Sequence, residues 1–280
     1  MKKNKKFLLM GLMLLVLAGC SNYMGPDNQV LESKIITWGD SWIWGTEGAS
    51  WFDALFVWPI AQALNFLTPY VGAFLSIVIV SVGMKMLTIR STIKSTIQQQ
   101  KMQLLGPEQS RIEEKYRGRD DQQSKLKKAT EIQNLYKKHD INPMGAMGGM
   151  LLMLPMMLAM YQSVARAQSI INGSILGQPL SGSPKEGFAT MNFVYIGIFV
   201  LMVLFQFLSM FLPQYLAKKK MVQRPNDKKP ANSPQSMMYI SLVMISFLGL
   251  TWPIGMSLYL MVSSLIQLIQ TLYINHKYVD

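Results

Sequence analysis

One cysteine, two histidines and an isolated lysine in an apolar tract are the residues of this 280-residue chain that most invite chemistry. Cys20 closes the run Leu17-Ala18-Gly19-Cys20, behind Lys2, Lys3, Lys5 and Lys6 and the uncharged stretch 7–18. A basic start, a short apolar core and small residues before a cleavage point make a secretory signal, too short to span a bilayer. A lone thiol supports no disulfide framework. His139 and His276 lie too far apart in the chain to suggest metal-ligand spacing. No nucleophile-elbow serine and no glycine-rich phosphate loop occurs, so neither catalysis nor a cofactor is expected. That leaves Lys85, a cation inside an apolar tract, where insertion costs about 2.5–3.5 kcal/mol unless it snorkels. It either reaches the headgroups or offers a positive charge inside a helix bundle to something acidic.

The elements that position these residues follow from where charge is missing. Half the chain is hydrophobic (50%), only 15% is charged, and the net charge is +12. A soluble fold scatters charge over every exposed helix face, whereas here long apolar tracts separate a few charged stretches. The reading is an all-α integral membrane protein with five transmembrane helices after signal cleavage. They are expected at residues 69–91, 144–164, 191–212, 236–251 and 254–274. The last two come from one tract of about 39 residues, about 58 Å as a single helix and twice the hydrocarbon thickness. Trp252-Pro253, with Gly249 and Gly255 nearby, supplies the break.

Lys and Arg sort the sides of the membrane. Residues 92–142 and 213–235 are rich in them, while 20–50 and 165–190 are nearly free of them. The basic loops belong in the cytoplasm, with the signal (1–19) and the mature N-terminus outside and the tail (275–280) inside. Residues 51–66 are dense in aromatics, which suits either a helix lying in the headgroup region or a thick aromatic belt on the first span. Residues 92–142 read as two antiparallel cytosolic helices. Leu126, Ala129, Ile132 or Gln133, and Tyr136 mark the periodicity, Gly118 to Asp121 the turn, and Gly106-Pro107 a kink in the first helix. Lys218 to Pro234, with its prolines among lysines, reads as mobile. No Asp, Glu or His lies within a span, which argues against a pump and, more weakly, a channel.

Two further features stay open on the residues alone. Gln206 in the third span serves either a helix–helix hydrogen bond or a cavity. The methionines from Met144 to Met160 are either filler or an adaptable apolar wall.

Leu17 to Cys20 resembles the bacterial lipobox, in which the thiol is acylated and becomes the new N-terminus. The chain as a whole resembles the YidC-type membrane protein insertases of Gram-positive bacteria. The resemblance rests on Lys101-Met102-Gln103, Pro107-Glu108 and Lys115-Tyr116, and on Asn142-Pro143 leading to Pro155 and Tyr161. It continues through Trp252-Pro253-Ile254-Gly255, Leu258-Tyr259 and Val262-Ser263. It implies five helices around a hydrophilic groove open to cytosol and lipid, with Lys85, Gln206, Tyr161 and Tyr259 lining it. The family's usual groove charge is arginine. Lys85 stands at the matching position, and a shifted alignment places Arg90 there instead. The tail after Ile274 is shorter than the basic extension of some members.

The expected function is insertion of nascent membrane proteins in the bacterial cell membrane. Partners implied by the resemblance are the Sec translocon, the ribosome with its targeting machinery, and membrane lipids. The mixed charge of the hairpin speaks against specific nucleic-acid readout. The alternative is a small-solute transporter or channel, which would often carry internal repeats and charged residues within spans. No repeat is visible in the sequence.

Overall fold

The computed structural model describes Tyr23 and residues 30–44, 50–220 and 234–279. The signal, Cys20, and Arg224, Lys228 and Lys229 of the second basic loop lie outside the described residues. The described chain is almost entirely helical: α1 (Trp58–Leu104), α2 (Gly106–Lys115), α3 (Gln122–Lys138), α4 (Pro143–Arg166) and α5 (Gln168–Ile171) come first. Then follow α6 (Pro184–Ala189), α7 (Phe193–Lys220), α8 (Pro234–Thr251) and α9 (Ile254–Ile274). A two-stranded hairpin, β1 (Ser174–Ile175) against antiparallel β2 (Gln178–Pro179), lies between α5 and α6. Among the described residues, Asp53–Leu104, Phe193–Lys219 and Ile254–Lys277 are long and apolar enough to cross a membrane, and Met238–Thr251 is a shorter apolar helix. The chain is an all-α membrane protein.

Helix ends fall where local chemistry puts them. Asn142 caps α4, its Oδ1 accepting from the amides of Met144 (3.1 Å) and Gly145 (3.2 Å), and Pro143 follows where a missing N–H costs nothing. Asn192 caps α7 in the same way. Pro253 separates α8 from α9. The first amides of α9 find partners outside the helix: Ile254 N–H donates to Gly182 O (2.8 Å) and Gly255 N–H to Leu180 O (3.2 Å).

Three local expectations are corrected. Residues 51–66 and 69–91 do not part between 66 and 69. A π-helical turn (Asp53–Val57) runs into α1, and the break falls at Gly72, whose φ of 80° only glycine adopts without strain. Gly106-Pro107 does more than kink a helix: α1 ends at Leu104, and α2 starts at Gly106 with the proline in its first turn. Leu126 is 70% exposed, so it is not on the packed face of the hairpin. That face is Ile132, Leu135 and Tyr136, closed on Met102, Leu105 and Ile141. Apolar spacing alone could not tell which of two overlapping stripes meets the partner helix.

The chain divides into two compact units. The first takes residues Met1–Met84, Leu152–Met202 and Leu248–Val262, and the second Lys85–Leu151, Val203–Phe247 and Ser263–Asp280.

Candidate functional site

Lys85 opens the second unit, and α1 places it within a pattern. Lys85, Thr88, Thr92, Ser95 and Gln99 recur at spacings of four and three, one stripe along a helix. Lys85, Thr88, Thr92 and Ser95 are buried or half-buried, Gln99 at the end of the stripe is exposed, and Met86, Leu87 and Arg90 on the other side of the helix are exposed as well. Hydroxyls in the stripe satisfy themselves locally: Thr88 Oγ1 donates to Lys85 O (3.2 Å) and Thr92 Oγ1 to Thr88 O (2.9 Å). Back-bonding of this kind lets polar side chains sit in an apolar helix without orphaned donors. Lys85 itself has no carboxylate within ion-pair distance among the described residues.

At its far end the stripe grips α4. Ser95 Oγ donates to Ala146 O (2.7 Å) and accepts from Gly149 N–H (3.0 Å), and Gln99 Nε2 donates to the same carbonyl (3.0 Å). Gln98 Oε1 accepts from Asn142 N–H (2.9 Å). A hydroxyl set between the amide and carbonyl of one helical turn is a known cause of local loosening. Only a glycine fits there, because a Cβ on Gly149 would lie 2.6 Å from Ser95 Oγ.

Gln206 also lies in the second unit. Its Oε1 accepts from Ser264 Oγ (2.5 Å), tying α7 to α9, and its Nε2 faces Met210 Sδ at 3.9 Å. Tyr161 and Tyr259 belong to the first unit instead. The Tyr161 ring lies 5.3 Å from that of Trp252 and 6.5 Å from that of Tyr23, and Tyr259 is buried. Met160 is fully buried, whereas Met144 and Met153 are exposed. The methionines of α4 therefore do not share one environment.

The first unit holds a polar clasp that the sequence reading missed. Arg166 Nη1 donates to Asp53 Oδ1 (2.8 Å), with the side chains 4% and 0% exposed. Arg166 Nε donates to Lys34 O (2.8 Å), and the guanidinium stands 5.9 Å from the Tyr23 ring centre. Asn65 Nδ2 donates to Ile36 O (2.7 Å) while its Oδ1 accepts from Ser169 N–H (3.0 Å). Both residues lay in plain view, Asp53 among aromatics and Arg166 at a span end. No spacing rule links positions 113 residues apart.

Among the described residues no three His, Cys, Asp or Glu side chains cluster as a metal site would need. Residues 66–280 match the family described as 60Kd inner membrane protein. The chain belongs to that family. Similar relatives carry the name membrane protein insertase YidC, alone or with a number. One from Mycoplasmopsis pulmonis is 29% identical over 255 residues, covering 88% of this chain and 41% of that protein. A Streptococcus pyogenes form is 32% identical, covering 64% of this chain and 58% of that protein. A Listeria monocytogenes form is 28% identical over 289 residues, 99% of this chain and 87% of its own length. The chain thus spans about half the length of the first two relatives. As a member of this family it is a multi-pass cell membrane protein.

Proposed function

We propose that this chain is a membrane protein insertase whose working group is the Lys85 ammonium. The observation that carries the reading is a cation on a polar stripe of a helix that is otherwise apolar enough to cross a bilayer. Membership in the 60Kd family and the names of the relatives support it. Counting from the outer end of the first span at residue 69, Lys85 lies sixteen residues along it, about 24 Å deep. Such depth suits an intermediate resting point for an acidic segment on its way across. At about 4 Å an opposite charge is attracted by about 1 kcal/mol in water and about 4 kcal/mol at an effective dielectric of 20. The attraction is large enough to shorten the polar part of the path and small enough to release.

The substrates are nascent membrane proteins. Their apolar helices leave for lipid, driven by about 25 cal/mol per Å² of buried surface, with Gln206 in the same unit as Lys85 beside the route. The work is physical, and no covalent step is assigned to any residue. In this reading the chain crosses the membrane five times, Cys20 is lipid-modified on the outer side, and both basic loops face the cytosol. Nascent chains arrive from the ribosome and its targeting machinery, with or without the Sec translocon.

Reconstitution in liposomes tests the proposal. Lys85→Arg keeps insertion of a small membrane protein, Lys85→Ala impairs it, and Lys85→Glu is worst for substrates with acidic outer tails. Arg90→Ala, on the exposed side of the helix, is expected to be mild. Loss with Arg90→Ala and none with Lys85→Ala moves the role to Arg90. Solute flux without insertion points to a transporter instead.

A further inference from the structure

We infer that the segment Trp38–Trp44 is a membrane-interface anchor, its indoles lying among the lipid carbonyls of the leaflet from which α1 enters. Three tryptophans in seven residues, Trp38, Trp42 and Trp44, are 61%, 55% and 54% exposed. In a mobile tail such rings would carry little meaning, but this segment is fastened where it begins, at Ile36 and Thr37. Gln62 Nε2 donates to Thr37 O (2.8 Å), Asn65 Nδ2 to Ile36 O, and Ile36 bridges to Ala167 beside the Arg166–Asp53 pair. The backbone is held by the first unit while each ring keeps more than half of its surface exposed.

Three observations select lipid as the occupant. The first is continuity with the membrane. Trp38 packs on Phe66 (5.1 Å between ring centres) and Phe66 on Tyr70 (5.5 Å), all three exposed. Phe66 and Tyr70 belong to a helix long and apolar enough to cross a bilayer, so the aromatic surface runs without interruption from the segment onto a spanning element. The second is how the polar atoms are handled. Trp42 Nε1 donates to Ala54 O at 3.0 Å, so that ring enters an apolar layer with no donor left bare. Asp40 folds back onto Thr37, its carboxylate accepting from the Thr37 amide at 2.6 Å and also from the Thr37 hydroxyl. The third is charge: Ser41 to Trp44 carries none. A protein-binding surface of this kind gains specificity from polar groups around its aromatic core. An indole with an apolar body and one polar edge belongs at the boundary of water and hydrocarbon.

The full chain in nanodiscs of phosphatidylcholine and phosphatidylglycerol tests this, with bromine placed either high (6,7) or low (11,12) on the acyl chains. The contributions of Trp38, Trp42 and Trp44 are obtained from single W38F, W42F and W44F variants by difference. Variants that each retain one of the three tryptophans serve as a second route. The expected result is blue-shifted emission, most of it lost to high bromine, less to low bromine, and little to aqueous iodide. Quenching by iodide with none from either bromolipid overturns the proposal and leaves a water-facing surface for a protein partner. Equal loss to both bromine depths overturns it in favour of deeper insertion. Protection from all three quenchers overturns it in favour of contact with a second copy.

Discussion

Asp53 and Arg166 meet with almost no exposed surface, and the cost of burying two charges governs what their substitution does. A buried pair adds little net stability over apolar residues of the same shape, but removing one partner strands the other and costs about 3–5 kcal/mol. Asp53→Ala and Arg166→Met are each expected to lower the midpoint of thermal unfolding in detergent strongly. The double variant should lose clearly less than the sum of the two. Arg166→Met should be the worse single change, because it also removes the hydrogen bond from Arg166 Nε to Lys34 O. Additive losses would show that the two charges do not act as a pair.

Among the elements, the start of α4 and the α2–α3 hairpin make opposite kinds of claim. At Gly149 the helix depends on a missing side chain. Gly149→Ala should destabilise by about 1–3 kcal/mol, as overpacking does, although alanine is the better helix former. Ser95→Gly in the same chain removes the clashing hydroxyl and should recover part of that loss, a rescue that a propensity effect cannot mimic. In the hairpin the decisive group is Glu131, whose Oε1 accepts from Lys115 Nζ (2.6 Å) and Tyr116 Oη (2.8 Å). The hydrogen bond from Lys115, then that from Tyr116, holds its carboxyl below the ordinary value of 4.5. A depressed folded pKa means the folded hairpin binds fewer protons than the unfolded one, so its contribution is complete above about pH 4.5. It fades as pH falls through the depressed value. Hydrogen exchange of α3 amides, corrected for intrinsic rates, should show protection falling below that point in the native chain. In Glu131→Gln that part of the pH dependence should be missing.

For the molecule as a whole, the proposed direction of insertion depends on the side of the membrane on which the hairpin stands. A cysteine placed at Lys125, on the exposed face of α3, is expected to resist impermeant maleimide in intact cells. It should label once the membrane is opened. Labelling from outside would reverse the topology and place the Lys85 stripe on the wrong side for substrates arriving from the cytosol.

How much of this was legible in advance depended on the range of the forces involved. Helical class and membrane residence follow from composition and from runs of apolar residues, because every backbone group in hydrocarbon must be satisfied within its own segment. The break at Trp252-Pro253 is equally local, since proline removes a donor whatever surrounds it. The Lys85, Thr88, Thr92, Ser95 and Gln99 stripe was present in the spacing too, though only burial showed which side of α1 is covered. Other features had no local signature. The break at Gly72 was not marked, and of the hairpin stripe read from spacing Ile132 and Tyr136 do face the core while Leu126 does not, a choice that tertiary packing makes among positions that spacing ranks alike. The Asp53–Arg166 pair and the Ser95 grip on Gly149 join residues 113 and 54 positions apart. A hydrogen bond acts over about 3 Å of space. Chain separation does not enter it, so only the folded structure decides which charges meet.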